Sequence, residues 1–225
     1  VKVVVTGGKR GIGTAIAAHF EAAGHEVLPL SSADLDVTDE DAVARVLGSL
    51  EVDVLVNNAG VSSSAPVKRT TLAEWERQIG VNATGAFLCT RAVLEGMRER
   101  GFGRIVTVAS AASHVGSRYT SGYTASKHAV LGFMRSVAAE VAGTGVTANS
   151  VCPAYVRSDM TDATIANIEK RTGRDDGEEA LAKMAALGRL IEPEEVAFAV
   201  AFFAAPEAGA INGQSLIMDG GGIQQ

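Results

Sequence analysis

The chain has 225 residues, 47% of them hydrophobic, enough to bury a full core, and it reads as a single domain over residues 1–225. Its formal net charge of -6, with lysines and arginines scattered, excludes the concentrated basic face that a nucleic-acid partner requires. It has no uninterrupted apolar stretch of about 18 residues, and it starts as strand and turn (VKVVVTGG) rather than as a secretory leader, so no membrane association and a cytoplasmic location are expected.

In chain order, an apolar run at Val3 to Val5 leads into the turn TGGKRGIG at Thr6 to Gly13, and helical spacing of Ile12, Ile16, Ala17 and Phe20 follows to Ala23. Further β-rich runs stand at Val27 to Leu30, Val52 to Val56, Arg104 to Val108, Val146 to Val151 and Ser215 to Met218. Strands that are apolar throughout belong to a parallel sheet covered on both faces, so the fold class is α/β, a Rossmann-like doubly wound sheet. Only Ser31 to Thr38 separate the second strand from a helix beginning near Asp39, which is too short for the usual crossover, so one helix is expected to be missing or reduced to a loop. Long helical patterns cover Leu72 to Arg100, broken near Asn82 to Gly85, and Gly122 to Val141. The polar stretch Glu169 to Glu179 marks a surface excursion, either a mobile lid or a solvated turn. Cys89 and Cys152 lie in apolar runs and read as buried small hydrophobes. The four histidines have no metal-ligand spacing, and no metal is expected.

The glycines of Thr6 to Gly13 let the chain turn tightly and approach a pyrophosphate, with the unpaired N–H groups of the next helix facing it. In GYTASK, Tyr123 and Lys127 are four residues apart, hence on one helix face. A cation beside a phenol stabilises the phenolate, so the tyrosine pKa is expected to move down toward the working range. Ser110 ends the strand RIVTVAS thirteen residues before Tyr123, and Asn82 in VNATG lies 28 residues before Ser110. Ser110 lacks the G-x-S-x-G elbow of a hydrolytic nucleophile.

The TGxxxGxG turn, Asn57-Asn58-Ala59-Gly60 after the third strand, and the spacing of Asn82, Ser110, Tyr123 and Lys127 resemble the short-chain dehydrogenase/reductase family over almost the whole chain. The resemblance implies a catalytic tetrad: Tyr123 as acid/base, Ser110 on the substrate oxygen, and Asn82 holding a water chain to Lys127. It implies an NAD(P)-dependent oxidoreductase moving a hydride to or from a carbonyl or alcohol carbon. The segment Asn167 to Ala197 resembles members acting on 3-oxoacyl or 3-hydroxyacyl thioesters. Reduction of ketones or cyclic alcohols is the alternative, and a non-catalytic cofactor-sensing module a distant one. The small-molecule substrate is expected between Ser62, Val115, Tyr155 and Met160.

Residues implied at the cofactor are Gly7, Lys9, Arg10, Gly11, Ile12 and Gly13 in the turn, Ser31, Asp36 and Val37 after the second strand, and Asn58, Ala59 and Gly60. Tyr123, Lys127, Pro153, Val156 and Ser158 complete the set. Two departures from the family pattern are Ala154 where glycine is usual after the proline, and Ser158 where threonine is common. Ser31 stands where an acidic residue would select NAD(H), although Asp34 and Asp36 follow closely. Lys9 and Arg10 stand where resembling members pair with a 2′-phosphate. NADP(H) is therefore favoured over NAD(H), and dual use is realistic. A homo-oligomer, a tetramer by resemblance, is expected from the apolar faces of Gly122 to Val141 and the segment around Ile217.

Overall fold

The computed structural model describes residues 1–224, and the side chains of all of these except 168, 171, 172 and 184. Six parallel strands form one sheet, β1 (Lys2–Thr6), β2 (Glu26–Leu30), β3 (Val54–Asn57), β4 (Gly103–Val108), β5 (Val146–Pro153) and β6 (Ser215–Met218), in the order β2-β1-β3-β4-β5-β6. The helices are α1 (Gly11–Ala22), α2 (Glu40–Leu47), α3 (Leu72–Ile79), α4 (Gly85–Arg100), α5 (Ser121–Glu140), α6 (Asp159–Thr172), α7 (Gly177–Met184) and α8 (Pro193–Ala204).

Alternation along the strands divides the interior in two. Val3, Val5, Val54, Val56, Val106 and Val108 pack on one face against Ile16 and Phe20 of α1 and Val196, Val200 and Phe203 of α8. Val4, Leu55 and Ile105 point the other way, against Val43 and Leu47 of α2, Cys89 and Met97 of α4, and Met134 of α5. Side chains that alternate between two covered faces are the signature of a doubly wound sheet.

The link from β2 to α2 is a run of turns, as its length required. Asp34 and Leu35 N–H groups donate to Ser31 O at 3.1 and 3.0 Å, and Asp39 N donates to Asp36 O at 3.1 Å. Leu35 and Val37 are buried under the sheet, and the Asp39 side chain caps α2 by accepting from Ala42 N. The chain then returns past β1 to form β3, so the order reverses between β1 and β3. In open α/β sheets the crevice at that reversal, outside the carboxyl ends of the strands, is where ligands bind.

The pattern from Leu72 to Arg100 breaks as expected, as a π-turn at Gly80–Thr84 between α3 and α4. The polar stretch Glu169 to Glu179 takes in the last turn of α6, stopped by left-handed Gly173, a short connection, and the first turn of α7. The side chains of 171 and 172 within it lie outside the described residues. No helix among the described residues is long and apolar enough to cross a membrane.

Candidate active site

The carboxyl end of β4 delivers Ser110 in extended backbone, its Oγ accepting from Ala112 N at 3.1 Å and donating to Pro153 O at 3.5 Å. The first turns of α5 deliver Tyr123 and, one turn on, Lys127, whose Nζ donates to Val108 O at 3.0 Å and lies 5.7 Å from the Tyr123 ring centre. The π-turn delivers Asn82. Its Oδ1 accepts from Val61 N at 2.8 Å, while its Nδ2 donates to Val61 O at 2.9 Å and to Ser126 Oγ at 2.8 Å. Ser126 Oγ donates in turn to Tyr123 O at 2.7 Å. Ser126 is buried and was not foreseen from the sequence, although its place between Tyr123 and Lys127 on one helix face was the available signal.

The electrostatics depart from the sequence expectation. Burial raises the Tyr123 phenol above its ordinary value, and the Ser110 hydroxyl beside it is the influence that lowers it, rather than Lys127. Burial instead pulls the Lys127 ammonium down from 10.5 to about 8. The reason is that the lysine bonds to a main-chain carbonyl and is itself desolvated, so its charge is not directed at the phenol. Tyr155 lies close enough to Tyr123 to add to the upward push. Cys89 and Cys152 are free, buried thiols raised by burial to about 12 and about 11, too high for a thiolate at neutral pH.

The crevice between β1 and β3 fits a dinucleotide. A Cβ on Gly13 would lie 2.1 Å from Gly7 O, and Gly7 itself has a φ of 62°. No side chain caps α1, whose N-cap is Arg10; Gly13 N donates back to Arg10 O at 3.1 Å, and the N–H groups of Gly11 and Ile12 remain for an outside acceptor such as a phosphate. Asn58 Nδ2 fastens this turn by donating to Thr6 O and Gly7 O, both at 3.0 Å, and Thr6 Oγ1 accepts from Asn58 N and Ala59 N, both at 3.1 Å. Gly60 leads toward Asn82 and Lys127, whose polar atoms a Cβ there would approach to 3.4 and 3.8 Å. Thr6 was missed in the sequence because a threonine ending a strand carries no distinctive signal.

Other implied positions have more structural duties. Asp36 directs its carboxylate to Thr38 N and Oγ1 at 2.9 and 2.7 Å, and Val37 is buried against Gly85. Ser158 caps α6, and Val156 is a buried bridge to Ile191. The departure at Ala154 costs nothing in backbone strain, because Tyr119 is the one non-glycine residue with positive φ among those described. At the end of β2, Asp34 Oδ2 accepts from Ser31 N and Oγ at 2.8 and 2.5 Å and pairs with Lys9 Nζ at 2.8 Å. These partners hold the Asp34 carboxyl far below the usual range. Arg10 has no ion pair among the described residues. No group of three or more His, Cys, Asp or Glu side chains among the described residues is placed to hold a metal ion.

The family model described as Enoyl-(Acyl carrier protein) reductase matches residues 28–222. Among relatives, the 3-oxoacyl-[acyl-carrier-protein] reductase FabG of Vibrio cholerae is 37% identical, covering 97% of this chain and 95% of its own. The acetoacetyl-CoA reductase of Rhizobium meliloti is 36% identical, covering 97% and 96%. A solved Beutenbergia cavernae structure with bound NADP, described as an NAD(P)-dependent gluconate 5-dehydrogenase, superposes with a TM-score of 0.89 at 34% identity, covering 98% and 95%.

The buried ammonium has a consequence for stability. Its folded pKa lies below the ordinary one, so the unfolded chain binds more protons between pH 8 and 10.5 and stability contributed by this group rises with pH there. Below that window the penalty is fully present, about 3 kcal/mol at 1.36 kcal/mol per pKa unit, against which the bond to Val108 O returns about 1 kcal/mol. Lys127→Met should therefore melt roughly 4–8 °C above the wild type at pH 7, with the gap narrowing toward pH 10. Thermal melts at the two pH values check this, and a variant no more stable at pH 7 would refute the burial penalty.

Proposed function

The chain belongs to the short-chain dehydrogenase/reductase family and is an NAD(P)-dependent oxidoreductase, and we propose that it interconverts 3-oxoacyl and 3-hydroxyacyl thioesters. The observation that carries the catalytic part is the convergence of Tyr123, Ser110, Lys127 and Asn82 at the carboxyl ends of β3, β4 and β5. The thioester part is supported by two relatives over nearly full length, whose names give a 3-oxoacyl carrier-protein substrate and acetoacetyl-CoA.

A bound nicotinamide supplies or accepts the hydride at the substrate carbon. In the reducing direction Tyr123 Oη gives its proton to the developing alkoxide, and Ser110 Oγ donates to the same oxygen. A phenol with a raised pKa keeps that proton at neutral pH, which suits the donor role. Lys127 holds the cofactor ribose and, through a void of about 10 Å³ shared with Asn57 and Asn82, a single water for proton resupply. Asn57 Oδ1, buried and without a hydrogen-bond partner among the described residues, belongs to the lining of that void. Ser62, Val115, Tyr155 and Met160 flank the reacting carbon.

For the cofactor we favour NADP(H), on the unpaired Arg10 and on the NADP found in the Beutenbergia structure. The preference is narrow, because Asp34 neutralises Lys9. We also place the chain in a homotetramer. The apolar face of α5 is spent inside the subunit, on Val130, Leu131, Met134 and Val137, so the sequence argument from that face does not hold. Phe198 at 68% and Phe202 at 47% exposure on α8, with Leu216 on β6, supply the uncovered apolar surface instead.

Tyr123→Phe should lower kcat by ~10²–10⁴-fold while cofactor affinity, read by nicotinamide fluorescence, stays within about twofold. A variant turning over within threefold of wild type would remove Tyr123 from the acid/base role. For the cofactor, the NADP(H)-to-NAD(H) ratio of dissociation constants and of kcat/KM should favour NADP(H) less in Arg10→Ala and more in Asp34→Asn. An unchanged ratio in both variants contradicts the assignment of this corner. Light scattering at micromolar concentration should give four subunit masses for the wild type and fewer for Phe198→Asp, and one subunit mass for the wild type would exclude the oligomer.

A further inference from the structure

Beside the catalytic centre lies a second cavity, of about 240 Å³, that the steps above do not use. Two segments leaving the centre enclose it. The connection from β3 to α3 runs from Val61, held by Asn82, to Ser63, whose N–H donates to Gln78 Oε1 at 3.2 Å. Ser63 Oγ donates to Glu74 Oε1 at 2.7 Å and accepts from Gln78 Nε2 at 3.1 Å. From the other side come Ser121 and Gly122, the residues immediately before Tyr123. Gln78 is 1% exposed, and a Cβ on Gly122 would lie 2.8 Å from its Nε2, so α3 and α5 approach this closely only over a glycine.

The two segments are tied by a strained residue. Tyr119 holds a φ of 67°, and its carbonyl accepts from Ala65 N at 2.8 Å. Such conformations persist where the surroundings over-determine them, and they cluster at ligand clamps.

The lining is mixed, with more polar groups than an alkyl chain would select. Ser63, Thr70, Glu74, Gln78 and Ser121 present hydroxyl, carboxylate and amide groups, and the bonds that join Ser63, Glu74 and Gln78 to one another leave spare lone pairs and the second Nε2 hydrogen of Gln78 for a polar ligand. Arg69, also in the lining, is exposed, and its guanidinium makes no ion pair or hydrogen bond among the described residues. We propose that this cavity receives the pantetheine arm of the thioester, a proposal that rests on the substrate reading above. The arm's amide and hydroxyl groups meet Gln78, Ser63 and Ser121, and the phosphate at its far end meets Arg69, whose planar fork suits a phosphate. A cavity of this size holds on the order of eight water volumes, a segment of the arm rather than all of it, which leaves the phosphate at the rim with Arg69. Coenzyme A and an acyl carrier protein present the same phosphorylated arm.

The test has a binding part and a kinetic part. Calorimetric titration of the wild-type protein with 4′-phosphopantetheine should show binding that weakens at least tenfold in Arg69→Ala and in Gln78→Leu, and weakens similarly when pantetheine without the phosphate replaces it on the wild type. Kinetically, the kcat/KM ratio of acetoacetyl-CoA to S-acetoacetyl-N-acetylcysteamine, which lacks most of the arm, should fall at least tenfold in Arg69→Ala. The same comparison with an acetoacetyl carrier protein identifies the natural source of the arm, and a fall with either source supports the site. Absence of 4′-phosphopantetheine binding at millimolar concentration, or gluconate binding that the same two variants abolish, would overturn the proposal. Failure of the wild type to reduce any thioester would instead overturn the substrate reading, and the titration would still decide the cavity's ligand.

Discussion

The site depends on one side-chain amide. Asn82 satisfies both main-chain groups of Val61 and reaches Ser126, so a single planar group fixes the strand-end loop, the π-turn and α5 relative to one another. An α-helical Asn82 within an unbroken helix would leave the line of its neighbours only at 100° steps, whereas the inserted π-turn re-aims it. Its burial makes the arrangement stiff, because each hydrogen bond lost there would leave a polar group away from water. Ser126 carries the constraint one step further, onto the carbonyl of Tyr123.

Two cations among the described residues are buried, for different ends. Arg104, 4% exposed, donates to Gly103 O, Gly145 O, Ala205 O and Pro206 O at 2.9 to 3.3 Å and stacks on Phe102, with its ring centre 4.7 Å from the guanidinium carbon. It engages four of its five N–H donors and clamps the amino end of β4 to the segment after α8, far along the strands from the site. Lys127 has a single protein acceptor among the described residues, Val108 O, and leaves the rest of its hydrogen-bonding capacity to whatever occupies the crevice. A buried charge with unfilled donors destabilises the fold, a local inconsistency of the kind that supports the functional role proposed for Lys127.

Much of this was legible in the sequence, and what was not follows a rule. The six strands showed as apolar runs because both faces of the sheet are covered, and the missing crossover was a matter of counting residues after Leu30. Asn82, Ser110, Tyr123 and Lys127 were singled out by a spacing that resembles the family's, and the fold brings these four positions to the carboxyl ends of the strands. Long-range partnerships of short polar side chains were hidden: Asn58 with Thr6, Ser63 with Gln78, and Lys9 with Asp34 join residues whose proximity only the folded topology creates. The direction of the Tyr123 shift was missed for the same reason. Sequence placed an ammonium one turn away but could not reveal that it is spent on Val108 O.

The shortened link after β2 bears on selectivity more than on stability. With the crossover removed, the turn at Ser31 brings Asp34 back onto Lys9, so an acid and a base share the place where a single acidic residue would otherwise discriminate. Both partners are substantially exposed, at 51% for Lys9 and 35% for Asp34, and pairs of this kind contribute about 0–1 kcal/mol. An ion pair that weak can open in favour of a phosphate oxygen, while a closed pair still leaves Ser31 and Asp34 near a ribose. Opening frees the Lys9 cation beside Arg10 but leaves Asp34 as a repelling neighbour, so the two effects oppose each other. On the cofactor preference proposed above, the net discrimination is small and sensitive to ionic strength, since screening acts on exposed charges first.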